Sequence, residues 1–305
     1  MLVLSHDDVF ATLKPEACAD AMAEILIAQA RGEAYFPLRS VVAPPNASGF
    51  IGLMPAWRGG HDATFSLKAL CVMPGNPARG LDSHQGVVIL SDAETGAPTA
   101  ILDASAVTAI RTAAVTAVAT RTLARSDAKV LAILGSGVQG RAHQRALGRD
   151  FEEVRVYSPS TDGSAEEAVR GADVVVTATS SREPVLKREW LAPGTHVNAV
   201  GASMPSAREL DTETVADAAL FCDSRESLRN EAGEFRLAIE QGAITGEDHV
   251  RGELGEVLAD QVDGRRDDRE LTVFRSLGLA IEDLAAAQLA VARARANGIG
   301  TEVDL

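Results

Sequence analysis

Apolar residues recur at helical spacing in PEACADAMAEILIAQARGE, residues 15–33, where Pro15 suits a first helical turn and Gly32 marks the stop. Beyond it the chain breaks into short runs punctuated by Gly, Pro and Asn: RSVVAPP, GFIGLMPAW, ATFSLKALCVM, GVVILSD and APTAILDA. Runs of this kind predict antiparallel strands. Alternation within FSLKALCVM sets Lys68 on one face with Ser66 and Leu70, opposite Leu67 and Ala69. From SAVTAIRTAA onward the texture turns Ala-rich and predicts a long helix from about Thr112 to Arg125, with a domain boundary along it. The apolar runs that follow, KVLAIL, EVRVYS, DVVVTAT and THVNAVG, are bounded by turn residues, as buried parallel strands alternating with helices would be. The last segment, TVFRSLGLAIEDLAAAQLAVARARANG, predicts a helix ended by Gly298 whose apolar turns need a surface to bury against.

One turn carries a chemical signature. In VLAILGSGVQGRAHQRAL an apolar strand meets Gly135, Gly137 and Gly140 at dinucleotide spacing and continues as a helix. The first glycine permits the tight turn, the second lets the backbone approach a pyrophosphate, and the third allows close helix–strand packing. Amides at the helix N-terminus then face the phosphates. Gly135, Ser136, Gly137, Val138, Gln139 and Gly140 are therefore expected to hold a cofactor. So are Ser158 at the end of the second strand, Thr177, Ala178, Thr179 and Val200 in the next two apolar runs, and Thr112 in the Ala-rich helix. The second strand ends in YSPSTDG, which offers neither a well-placed carboxylate for a ribose 2′-hydroxyl nor an arginine for a 2′-phosphate. The cofactor is expected to be NAD or NADP, with a lean to NAD. Only 15 residues separate Tyr157 from Asp173, room for a single crossover, so the nucleotide sheet should lack its regular third strand and helix.

Composition narrows the choices. At 305 residues, 46% hydrophobic and 24% charged, the chain is long enough for two domains with real cores. A formal net charge of −14, without any Lys/Arg run, disfavours nucleic acid. The apolar runs are too short to span a bilayer, and MLVLSHDDVF has no basic leader, so a cytoplasmic protein is expected. Cys18, Cys71 and Cys222 are widely spaced, which argues against a disulfide framework or a structural zinc site, and no histidine or carboxylate cluster has metal spacing. His143 reads as a packing residue.

The segments LRSVV, GLMPAW, SLKALCVMPGN, SHQGVVILSDAETGAPTAILDASAVTAIRTAA, GSGVQGRAHQRAL, DVVVTATSSREPVL, VNAVGA, CDSRES, LGEVLAD and TVFRSLGLAIEDLAAA together resemble the ornithine cyclodeaminase and mu-crystallin family nearly end to end. The resemblance implies an α/β protein: a Rossmann-type nucleotide domain spanning 116–278, which in this sequence departs from the family by being shortened after its second strand, at the adenosine pocket, plus an α+β substrate-binding and dimerisation domain. The latter covers residues 1–115 and is completed by the C-terminal helix, 279–305. A homodimer is implied, with a small amino-acid or imino-acid substrate and no membrane or nucleic-acid partner. By the same resemblance Arg39, Lys68 and Arg111 would bind the substrate carboxylate, and Asp223 and Lys68 would be catalytic.

Elementary chemistry fits these assignments. A planar guanidinium grips a carboxylate through two parallel hydrogen bonds, and Arg111, read as preceding the Ala-rich helix, would share its anion site with that helix's positive end. A lysine on a buried face needs a partner, which a substrate carboxylate would supply. Asp223 follows the strand-like ALFC and would move a proton; the alternative is a helix N-cap, which DSRE also suits. The favoured function is an NAD(P)H-dependent reductase of a cyclic ketimine, of the pyrroline-2-carboxylate type, giving a cyclic L-amino acid. The alternatives are an ornithine cyclodeaminase yielding proline and ammonia, an alanine dehydrogenase-like enzyme, and a non-catalytic binding protein. The chain stops soon after its last helix, which favours the reductase and alanine dehydrogenase members over cyclodeaminases with longer tails.

Overall fold

The computed structural model describes residues 1–304, which divide into two compact units, one of residues 1–111 with 279–304 and one of residues 112–278. In chain order the first unit supplies β1 (Leu2–Leu4), α1 (His6–Thr12), α2 (Pro15–Ala30), β2 (Ala34–Tyr35), β3 (Ser40–Val42), β4 (Phe50–Arg58), β5 (Thr64–Val72), β6 (His84–Asp92) and β7 (Pro98–Asp103). Next comes α3 (Ala104–Leu123), the helix within which the division falls. Strands β4 to β7 pair antiparallel in sequence order, as their punctuated apolar runs require, and β1 adds parallel to β7. Gly32, at φ +73, ends the α2 segment in the left-handed region where a side chain would be strained.

The second unit holds β8 (Val130–Leu134), α4 (Val138–Leu147), β9 (Glu153–Tyr157), α5 (Ala165–Val169), β10 (Val174–Thr177), β11 (His196–Ala199), α6 (Thr212–Asp217), β12 (Ala219–Cys222), α7 (Arg225–Glu231), α8 (Gly233–Glu240), β13 (Val250–Glu253), α9 (Leu254–Leu258) and β14 (Thr272–Arg275). Its seven strands run β13-β12-β14-β11-β10-β8-β9, every pair parallel. The sheet reverses order at β8, with β9 on one side and β10 on the other. Such a switch point opens a crevice at the carboxyl ends of the strands. β9 is the edge. The segment between β9 and β10 contributes only the five-residue α5 and no strand, so the third strand is missing as its length required; the sheet gains its width on the far side, from β12, β13 and β14. Side chains alternate across this sheet. Leu131, Ile133, Val174 and Val176 pack with Ala117 and Leu147, while Ala132, Leu134, Val175, Val197 and Val273 enter the core on the other face.

Two expectations need correction. The Ala-rich helix begins at Ala104, not near Thr112, and ends at Leu123; Asp103 caps it, accepting the Ala106 amide at 2.7 Å. Arg111 therefore lies well inside the helix, beyond the first turn over which the positive end acts, and gains nothing from it. In the C-terminal segment TVFR is not helical but the interior strand β14, and Gly278, at φ +78, turns the chain before α10 (Ala280–Asn297) starts. Gly298 ends α10 in the left-handed conformation. In the first unit α10 packs on α1, α2 and the sheet face of β4, β5 and β6, and β15 (Thr301–Glu302) pairs with β1.

Two fully buried histidines sit in the second unit. His143 Nε2 is 2.9 Å from Thr116 Oγ1, and its Nδ1 is 2.8 Å from the Gln139 carbonyl; it packs, as read from the sequence. His196 lies between Thr272 and Asn198, and Asn198 in turn donates to Thr120. Burial pushes His143 from 6.5 down to about 4 and His196 down to about 3. Between pH 6.5 and those values the unfolded chain takes up protons that the native chain refuses, so stability should fall as pH falls through this window. Thermal midpoints measured from pH 7.5 to 4.5 should show the loss, and His143→Gln should flatten the slope. An unchanged slope in that variant would remove His143 from the account.

Candidate active site

In the first unit, β5 alternates as read: Ser66, Lys68 and Leu70 are buried and Phe65, Leu67 and Ala69 are less so. That places Lys68 on the face covered by α10, where it is 2% exposed and forms an ion pair with Asp283, Nζ to Oδ2 2.6 Å. Its Nζ is also 3.4 Å from Thr108 Oγ1. Arg111 reaches the same acidic pair, donating from Nε to Asp283 Oδ1 at 2.9 Å and from Nη1 to Glu282 Oε2 at 2.7 Å. Two of the three predicted carboxylate ligands are thus brought together by one carboxylate. Arg39, in the segment between β2 and β3, is half-buried and close enough to Lys68 for its charge to be felt.

The electrostatics follow from this packing. Burial pulls the Lys68 ammonium down to about 8, with Asp283 opposing the fall and the Arg111 and Arg39 charges adding to it. Burial alone would raise the Asp283 carboxyl, but Arg111 and Lys68 hold it below its ordinary value. Glu282 and Asp283 are the residues that sequence reading missed. They fall in the first turn of α10, where acidic residues are ordinary companions of the helix dipole.

In the second unit the glycine turn has the geometry its sequence implies. Gly135, at φ +127, occupies a conformation closed to side chains, and a Cβ there would stand 2.4 Å from the Ala178 carbonyl oxygen. A Cβ at Gly140 would stand 1.9 Å from the Gly135 oxygen, so α4 can sit this close to β8 only with glycine. Gly137 differs: a Cβ there would enter open space. It is the N-cap of α4 and makes no side-chain cap, and Ser136, Gly137 and Val138 are exposed. An uncapped helix start beside an open glycine is a cradle for a phosphate group.

The other predicted cofactor residues lie at the carboxyl ends of neighbouring strands. Ser158 follows β9 and is tied into a turn by Thr161, whose Oγ1 accepts the Ser158 amide at 2.9 Å and donates to its carbonyl at 2.8 Å. Thr177 ends β10 and is followed by Ala178 and Thr179, and Val200 directly follows β11, its amide donating to the Thr177 carbonyl at 2.9 Å. Thr112 is buried in α3, apart from this strand-end group in the chain, and its carbonyl accepts from Thr116.

Asp223 directly follows β12 and is fully buried. Oδ2 accepts the Leu277 amide at 2.5 Å and the Gly278 amide at 2.7 Å, and Oδ1 accepts the Ser224 amide at 2.9 Å. It does not cap α7. Ser224 is that cap, accepting from the Ser227 amide, which removes the N-cap reading of Asp223.

A fully parallel sheet with an order switch, a glycine turn beneath an open helix start, and a buried cluster of paired charges invite comparison with known proteins. Mouse ketimine reductase mu-crystallin is 39% identical over 271 residues, 83% of either chain. The structure of Thermococcus litoralis Delta(1)-pyrroline-2-carboxylate reductase in complex with NADH and L-proline superposes with a TM-score of 0.94 at 35% identity, covering 99% of this chain and 100% of that one. An archaeal alanine dehydrogenase dimer with bound NAD follows at a TM-score of 0.93 and 34% identity, over 100% and 99% of the two chains. The family model matches residues 1–163 and 160–298, and with relatives this similar along its whole length the chain belongs to the ornithine cyclodeaminase/mu-crystallin family.

Proposed function

We propose that this protein is an NADH-dependent reductase of a small cyclic imino acid, of the pyrroline-2-carboxylate type, yielding a cyclic L-amino acid. The observation that carries the reading is the pairing of Lys68 and Arg111 at one buried point of the first unit. A substrate carboxylate needs such cations, and a small cyclic imino acid has little else to be held by. The likeness to the Thermococcus litoralis enzyme, whose structure carries NADH and L-proline, supports this substrate class.

Ser136, Gly137 and Val138 would hold the cofactor's pyrophosphate at the start of α4, and the nicotinamide, when bound, supplies a hydride. Reduction of a C=N bond adds that hydride to carbon and a proton to nitrogen. Arg111 and Lys68 orient the carboxylate beside that carbon. Lys68, lowered to about 8, stays mainly protonated at neutrality and so keeps the charge that grips the carboxylate. Asp223, fixed by three backbone amides, would take or return the proton on the substrate nitrogen. The end of β9, with Ser158 and no arginine in YSPSTDG, favours NADH over NADPH.

We also propose a homodimer. The sheet face of the first unit away from α10 carries Phe65, 49% exposed, with the half-buried Leu53, Leu67 and Ile89, and such a face suits a second copy. The cytoplasm is the proposed compartment, supported by three free cysteines. No helix among the described residues is long and apolar enough to cross a membrane.

The test is oxidation of NADH or NADPH, followed by absorbance, with a panel of cyclic imino acids. Pyruvate with ammonia belongs on the panel because the archaeal alanine dehydrogenase fits almost as closely, and ornithine without net cofactor turnover probes cyclodeamination. Turnover of Δ1-pyrroline-2-carboxylate with NADH is the expected outcome. Turnover of pyruvate and ammonia alone would replace the reductase reading, and a monomer in sedimentation velocity would remove the dimer.

A further inference from the structure

Nothing in the sequence of SARELDTET distinguishes Glu209 from an ordinary loop acid, yet it is completely buried in the second unit. Its Oε1 accepts the Thr179 amide at 2.7 Å and the Thr179 hydroxyl at 2.8 Å. Oε2 accepts the Thr177 hydroxyl at 2.9 Å, the Gly201 amide at 2.6 Å and the Ala202 amide at 3.3 Å. Its backbone carbonyl takes two more amides, those of Val185 and Leu186. One carboxylate therefore fastens the chain leaving β10 to the chain leaving β11. The fastening is tight: a Cβ on Gly201 would stand 2.1 Å from the Thr179 oxygen, 2.3 Å from its nitrogen and 2.7 Å from Glu209 Oε1.

We propose that Glu209 is a positioning residue for the cofactor, which sets the two strand ends that wall the nicotinamide side of the crevice. The inference rests on the reading of the second unit as the nucleotide-binding domain. The two joined segments hold Thr177, Ala178, Thr179 and Val200, and Gly135 of the phosphate turn lies against Ala178. A shift of the β10 end is thus passed to the turn as well. A buried charge persists only where donors surround it. Here all the side-chain bonds serve the alignment of these two segments. Glutamine in this place cannot reproduce it, because one of its two terminal atoms is a donor and would face donors on either side.

The experiment titrates NADH into parent, Glu209→Gln and Glu209→Asp proteins by calorimetry, with thermal midpoints alongside. Misplacement by an ångström costs on the order of 100-fold in comparable settings, so Glu209→Gln should raise Kd for NADH by about tenfold or more. The aspartate, one methylene short, cannot reach both segments and should fall between parent and glutamine. KM for the imino acid at saturating NADH should not move. A merely structural glutamate would lower the number of binding-competent molecules, read as the stoichiometry, and leave Kd of the folded fraction unchanged. That result in Glu209→Gln overturns the proposal; should the glutamine variant not fold, parental Kd in Glu209→Asp overturns it equally. Failure of the parent itself to bind NADH would instead overturn the reading of the glycine turn, and this inference with it.

Discussion

Arg111→Lys is expected to lower kcat/KM for the cyclic imino acid by about 10- to 150-fold, the cost of roughly 1.5 to 3 kcal/mol for one charge-assisted contact. The charge survives this change and the geometry does not. Arg111 is held at Nε by Asp283 and at Nη1 by Glu282, both on α10, which fixes the plane of its guanidinium and hence the direction in which a carboxylate can be gripped. A lysine is a point donor on a flexible stem and cannot span both acids. One of them then loses a partner in a buried place, so some loss of stability accompanies the loss of turnover. Steady-state kinetics and thermal midpoints on the same preparation separate the two. If the midpoint drops while the folded fraction keeps the parental kcat/KM, Arg111 is a structural residue and the carboxylate site must be sought elsewhere.

Much of this arrangement is legible in the sequence because it depends on neighbours along the chain. The strand, turn and helix around Gly135, Gly137 and Gly140 are contiguous, and Gly135 and Gly140 each answer a local steric demand that the structure shows, while Gly137 leaves open space. The burial of Lys68 follows from period-two alternation within one strand. The missing third strand follows from counting residues between Tyr157 and Asp173. What pattern reading misses lies in contacts between distant segments. Asp283 is 172 positions from Arg111, and nothing in LAIEDLAAA separates a buried counter-ion from an acid that merely favours a helix start. Glu209 is hidden for the same reason, since its donors come from the ends of β10 and β11 and from the chain just beyond them, and only the assembled sheet brings them to it. The misplaced start of α3 has a local cause instead. β7 runs into the helix without a linker, and Val107, Thr108 and Ile110 carry strand-like side chains past the true cap at Asp103.

Asp223→Asn should depress kcat by about 100- to 10,000-fold, the range that a positioned acid or base contributes. The substitution is a fair test because the structure shows how an asparagine would sit. Turning its carbonyl oxygen toward the Leu277 and Gly278 amides keeps two of the three amide bonds, and the side-chain amide then faces the Ser224 nitrogen and loses the third. One such loss costs about 1 to 3 kcal/mol of stability, which a folded protein of this size can carry. Shape and position therefore survive while the capacity to take up or release a proton does not. NADH affinity should stay near parental, KM for the imino acid should change less than kcat, and the limb of the pH–rate profile that depends on this carboxyl should disappear. A folded Asp223→Asn protein that binds NADH and turns over at the parental rate would show that the three amides are the whole purpose of this carboxylate, to pin the end of β12 to the turn before α10.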